Sequence, residues 1–253
     1  CSSLHRQHSR HLTPHCYNGV AVSQTTAISA SYSLLLQHSF ATAFGRNSAR
    51  YIGVGENEEA QLFYFFFESE SNPEEDPFLL WITGGPGCAG LSTMLLEMGT
   101  FVIDYANCKG GPTILKLNEY AWTKAANILF IDEPAGTGYS YAKSLEGSLT
   151  SDTLSARQTY DFLRKWLVDH PKYLENPLYL FGESYAGIIL PLIVNEVYNG
   201  IEAGDKPMLN MKYAQGDYEL TYATVKGGGH TNPEYRPKES FVMFDRWIRQ
   251  SAL

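Results

Sequence analysis

Leu178-Tyr179-Leu180-Phe181-Gly182-Glu183-Ser184-Tyr185-Ala186-Gly187 runs from a short apolar stretch into a small-residue turn with a serine at its tip. Ile188 to Tyr198 then continues with helical spacing. A strand that turns sharply into a helix lifts such a serine hydroxyl off the end of a sheet, among the free backbone N–H groups of the helix start. This is the shape of a nucleophile elbow, here in the form G-x-S-x-A. Its plainer alternative is a serine acting as a helix N-cap.

Working outward, Leu62-Phe63-Tyr64-Phe65-Phe66-Phe67 reads as a buried strand followed by a polar turn, Ser69 to Asp76. Phe78 to Ile82 and Asn127 to Ile131 are two further strands, Leu178 to Phe181 a fourth and Glu219 to Val225 a fifth. A helix spans about Thr153 to Asp169, with Ala156, Tyr160, Leu163 and Leu167 on one face, and His170-Pro171 ends it. Lys238 to Gln250 repeats the pattern through Phe241, Phe244 and Ile248. Strands alternating with helices predict an α/β fold, a mostly parallel central sheet with helices on both faces. Functional groups in such sheets gather at the carboxyl ends of the strands.

Two glycine-rich loops fall at those ends. Thr83-Gly84-Gly85-Pro86-Gly87 lets bare backbone N–H groups approach a ligand, and Gly85 N–H with Tyr185 N–H can form an oxyanion hole. No G-K-[ST] follows, which disfavours a phosphate cradle. Gly227-Gly228-Gly229-His230-Thr231 follows the last expected strand, so His230 is the candidate base for Ser184.

The bulk properties bound the rest. With 253 residues and 44% hydrophobic content, the chain can bury one full core. We expect a domain over residues 46–253 and a segment outside the fold over residues 1–45, which are rich in His, Ser, Thr and Ala. A net charge of −8 argues against nucleic acid or an anionic membrane as partner. No apolar run is long enough to span a bilayer. Cys1, Cys16, Cys88 and Cys108 lack zinc-like spacing, so neither a metal nor another cofactor is expected, and spacing alone does not assign disulfides. Because residue 1 is not Met, the sequence reads as a fragment or an incomplete gene product.

Four segments resemble the plant serine carboxypeptidase-like proteins: PFLLWITGGPGC (Pro77–Cys88), NILFIDEPAGTGYSY (Asn127–Tyr141), DHPKYLENPLYLFGESYAG (Asp169–Gly187) and TVKGGGHTNPEYRP (Thr224–Pro237). The resemblance covers residues 51–212 and 213–253 and implies an α/β-hydrolase fold. It implies Ser184 as nucleophile, His230 as base, and Gly85 and Tyr185 as oxyanion donors. Thr83, Gly84, Glu97 and Glu183 become the substrate-binding set, the two glutamates holding a terminal carboxylate through a shared proton. The expected activity is that of a serine carboxypeptidase-like hydrolase on a peptide or small-molecule substrate, in the secretory route, the vacuole or outside the cell.

Several positions depart from the peptidase pattern. Thr83 stands where peptidases have Asn and suits the acyltransferase branch, which uses glucose-ester donors, whereas Gly182–Gly187 keeps the peptidase form. Glu119 and Asn232 also replace usual residues, and the family includes a cyanohydrin lyase, so fold alone does not settle reaction class. Only 46 positions separate Ser184 from His230, where the family places further strands, a cap insertion and the triad acid. The usual partner of Cys88 would fall in that missing region too.

No substitute acid stands out. At roughly 3.3 Å per residue, a strand from Glu219 to Val225 spans about 23 Å and leaves Asp217 at the wrong end of the sheet. Glu196, Glu202 and Asp205 lie late on or beyond the elbow helix. A catalytically inactive, truncated product is therefore the third reading.

Overall fold

A computed structural model describes residues 48–107, 114–211 and 222–250. In chain order the elements are β1 (Ser48–Val54), β2 (Ala60–Phe67), β3 (Phe78–Ile82), α1 (Gly90–Thr93) continued by a π-type turn (Met94–Met98), β4 (Phe101–Ile103), β5 (Leu115–Leu117), β6 (Asn127–Ile131) and β7 (Tyr141–Ala142). Then follow α2 (Asp152–Asp169), β8 (Leu178–Gly182), α3 (Ala186–Ala203), α4 (Asn232–Tyr235) and α5 (Pro237–Ile248).

The main sheet runs β1-β2-β6-β3-β8, with β7 beside β2. β6, β3 and β8 are parallel neighbours, and β1, β2 and β7 add an antiparallel half, so the described sheet is mixed. The Phe-rich run of β2 is apolar at every position because both faces are covered. Leu62, Tyr64 and Phe66 face α2 and α3 with Phe78, Leu80 and Ile82, around Trp166, which stacks on Phe78 at 4.9 Å. Phe63, Phe65 and Phe67 face the opposite side with Leu79, Trp81, Met94 and Met98. There Phe244 of α5 stacks on Trp122 with ring centroids 4.0 Å apart.

Local signals explain the boundaries. Ser151 caps α2 by accepting a hydrogen bond from Leu154 N at 3.2 Å. The buried stripe of α2 runs through Ala156, Thr159, Phe162, Leu163, Trp166 and Leu167. Tyr160 therefore sits at the edge of the expected face, where its hydroxyl donates to Asp205 at 3.0 Å. Fully buried Asn127 ties the start of β6 to the preceding turn, accepting from Ser69 N and donating to the Pro73 and Asp76 carbonyls.

One expectation changes. The strand at Glu219–Val225 is not found: residues 219–221 lie outside the described residues, and residues 222–225 are irregular, with Tyr222 88% exposed. A strand needs a lateral neighbour, and among the described residues the sheet stops at β8, whose outer side carries only a one-residue bridge from Leu178 to Met211. Cys88, whose pairing spacing alone left open, is disulfide-bonded. Cys1, Cys16 and Cys108, like Asp217 and the segment 1–45, lie outside the described residues.

Candidate active site

β8 delivers the elbow. Glu183 and Ser184 form the turn, and α3 starts at once, with Ala186 N donating to Glu183 O and Gly187 N to Ser184 O, both at 3.0 Å. Ser184 takes a φ of 56°, a left-handed backbone that a non-glycine residue adopts at some cost. Gly182 makes the sharp corner possible: a Cβ there would lie 2.6 Å from both Ala186 Cβ and Ile82 O.

The loop after β3 lies flush against this corner. A Cβ on Gly84 would come within 2.5 Å of Glu183 O, 2.8 Å of Tyr185 N and 2.9 Å of Ser184 Cβ. Gly85 has a φ of 119° and an exposed backbone, held by a hydrogen bond from Cys88 N to Gly84 O. Thr83, Gly84, Gly85, Ser184 and Tyr185 are thus brought together at one sheet end. Asp132, at the end of β6, fixes the adjoining loops by accepting from Gly90 N at 2.7 Å and Tyr139 N at 2.9 Å. Its complete burial raises its carboxyl to about 7.

On the side of the sheet that carries the π-type turn, three carboxyls converge. Glu97 is 6% exposed and lies against the Thr93 hydroxyl and the Glu183 carboxyl, while its Oε2 is buried with no hydrogen bond. Burial first, then the charges of Glu183 and Glu234, hold Glu97 far above the usual carboxylate range. Glu183 is also raised by burial, partly offset by His230 close by. Two such neighbours readily share one proton.

Glu234 is a member of this cluster that the sequence analysis missed. Thr231 Oγ1 donates to Glu234 Oε2 at 2.7 Å. The T-x-x-E spacing that announces this contact was legible as a helix-start signal.

His230 sits exposed on its glycine loop within electrostatic reach of Glu183. Among the described residues no hydrogen bond joins it to Ser184. The acids late on or just beyond the elbow helix have other partners: Glu196 faces Arg157 at 3.8 Å, and Asp205 is held by Tyr160 and by Arg164 at 3.5 Å. Thr83 is 6% exposed and its hydroxyl pairs with that of Thr93 at 3.0 Å.

Known proteins are similar to this chain in sequence and fold. The serine carboxypeptidase profile matches residues 39–217 and 212–250. Serine carboxypeptidase-like 15 of Arabidopsis thaliana is 46% identical over 162 residues, which are 64% of this chain and 37% of that protein. Serine carboxypeptidase-like 10 of the same plant is 44% identical over 174 residues, 68% of this chain and 39% of that protein. The prohormone-processing carboxypeptidase Kex1 of Saccharomyces cerevisiae superposes with a TM-score of 0.56 at 26% identity, over 66% of this chain and 37% of its own. The chain thus spans well under half the length of these relatives. A profile match that runs through β3, β6, β8 and the His230 loop makes this chain a member of the serine carboxypeptidase family.

Proposed function

We propose that the chain is a serine hydrolase that transfers an acyl group through Ser184, as a carboxypeptidase does. The strained φ of Ser184 beside the flush Gly84 backbone carries this reading. Ser184 Oγ attacks the carbonyl carbon while its proton passes to His230. The developing oxyanion meets Gly85 N–H and Tyr185 N–H. His230 returns the proton to the leaving group, and water then repeats the sequence on the acyl-serine. Glu97 and Glu183, sharing a proton, receive the leaving group's carboxylate, and Glu183 is the acid nearest in effect to His230. Peptides or small esters are the substrates in this reading, and no cofactor takes part. The secretory route or the vacuole is the proposed compartment. Among the described residues no helix is long and apolar enough to cross a membrane.

The direct test is intact mass after treatment with a fluorophosphonate. The Ser184 oxygen bonds to phosphorus, fluoride leaves, and the serine proton passes to His230. One adduct per chain is expected, absent in Ser184→Ala and lost in His230→Ala. A folded, unlabelled chain sinks the reading and leaves the inactive, truncated form.

Thr83 favours a second reading, an acyltransferase with an alcohol as acceptor. Its hydroxyl is tied to Thr93, so the carboxylate clamp lacks the amide donor an asparagine supplies. Thr83→Asn is expected to raise peptide turnover about tenfold if only that donor is missing, since a hydrogen bond to a charged group is worth about 1.5 kcal/mol. No gain, alongside consumption of glucose esters, selects the acyltransferase.

A further inference from the structure

Tyr185 is held at both ends. Its backbone leads from the left-handed Ser184 into α3, and Ile188 N donates to its carbonyl at 2.9 Å. Its half-buried ring packs on the core that α2 and α3 share with the sheet. Beyond the ring, its hydroxyl donates to the Asp152 carboxylate, 3.1 Å from Oδ2 and 3.2 Å from Oδ1.

We propose that Asp152 is a positioning residue for acyl transfer: by holding the Tyr185 hydroxyl, it fixes the direction in which the Tyr185 N–H meets the oxyanion. The inference rests on the acyl-transfer reading of Ser184 and adds to that site a residue from a different element of the fold. Three observations carry it.

The first is that the anchor is itself fixed. Asp152 opens α2, but Ser151 already caps that helix through Leu154 N, so the Asp152 side chain is left for Tyr185. One and two turns further on, the Ser155 and Thr159 hydroxyls donate to Glu133, just beyond β6, the second at 3.4 Å. The start of α2 is thereby tied to the same sheet end as the elbow. A carboxylate at this helix start also meets the positive end of the helix dipole.

The second is the absence of slack. A Cβ on Gly84 would lie 2.8 Å from Tyr185 N, so the backbone of one donor already rests against the loop that carries the other. A small tilt of Tyr185 changes the spacing of the two donors, and stabilisation of the oxyanion depends steeply on that placement. The third is the bond itself. A hydroxyl donating to a carboxylate makes a charge-assisted bond. The Asp152 contact is also the main cause that pushes the Tyr185 hydroxyl above its ordinary pKa, which keeps it a donor through neutral pH.

The plainer role for this contact is to steady two helix starts, and the kinetics of fluorophosphonate labelling separate the two. The maximal rate, the reagent concentration that gives half of it and the final fraction labelled are measured independently. Asp152→Ala and Tyr185→Phe should each lower the maximal rate about tenfold, with the half-saturating concentration unchanged and one adduct per chain still reached. Tyr185→Phe removes the hydroxyl without touching α2. The double variant should be within about twofold of either single one, because both break the same link. Asp152→Asn keeps an acceptor oxygen and should cost no more than about threefold.

Parental rates in either single variant, losses that multiply in the double variant, or a smaller labelled fraction at an unchanged rate overturn the proposal. A raised half-saturating concentration at an intact maximal rate does so too. Each of these leaves the acyl-transfer reading standing when the parent chain labels. A parent chain that never labels overturns that reading, and the role of Asp152 with it.

Discussion

Gly84→Ala is expected to cut the rate of fluorophosphonate labelling at Ser184 by about a hundredfold or more. The reason is backbone against backbone. The new methyl would sit 2.5 Å from Glu183 O and 2.8 Å from Tyr185 N, and neither can rotate away as a side-chain tip would. The loop and the elbow must therefore separate, which moves Gly85 N–H and Tyr185 N–H apart in the same step. Loss or misplacement of one such donor costs roughly 10²–10³ in rate, and overpacking adds about 1–3 kcal/mol of destabilisation.

Gly187→Ala is the matched control, because nothing lies within 4 Å of the added carbon and the position is helical. It should label at the parent rate and melt at least as high. A Gly84→Ala chain that labels as fast as Gly187→Ala would show that the loop and the elbow do not act together.

The second large effect is on stability. Asp132, Glu97, Glu133 and Glu183 all have folded-state values above their unfolded ones, burial being the main cause for each. The folded chain therefore holds more protons than the unfolded chain over the interval between those values. The stability they contribute is complete below about pH 4 and is lost as pH rises through the folded values. For Asp132 alone, a rise from 3.8 to about 7 corresponds to about 4 kcal/mol at full deprotonation.

Thermal unfolding should accordingly give a Tm roughly 5–10 °C higher at pH 5 than at pH 8. Glu97→Gln should recover several degrees at pH 8 and flatten the dependence, since it removes a buried carboxyl whose Oε2 has no hydrogen bond. A Tm that climbs with pH, or a slope untouched by Glu97→Gln, contradicts the burial account.

Much of the scaffold was legible because its strands are buried on both faces. β3 and β6 were read to the residue, Phe78–Ile82 and Asn127–Ile131, each an apolar run between turn residues. β1 was not, because Ser48–Val54 is half-buried and owes its strand form to pairing with β2. Residues 222–225 of the expected fifth strand are irregular for the complementary reason: propensity was present but, among the described residues, a neighbour was not.

At the site, Ser184, Gly84, Gly85 and Tyr185 were readable from the glycines that a close approach requires, whereas the cluster around Glu97 shows how tertiary contacts hide. Glu234 meets Glu97 and Glu183 only because α4 packs on the π-type turn, so its charge reaches residues more than fifty positions away in the chain. Asp152 likewise gains its part only through the Tyr185 hydroxyl.

The φ of 56° at Ser184 sets two demands against each other at one position. Glycine would adopt that backbone without steric cost, while serine carries a penalty of order 1–3 kcal/mol. Mutational drift under pressure for folding alone would therefore favour discarding the hydroxyl. Serine at this corner marks a place where durability and reactivity call for different side chains.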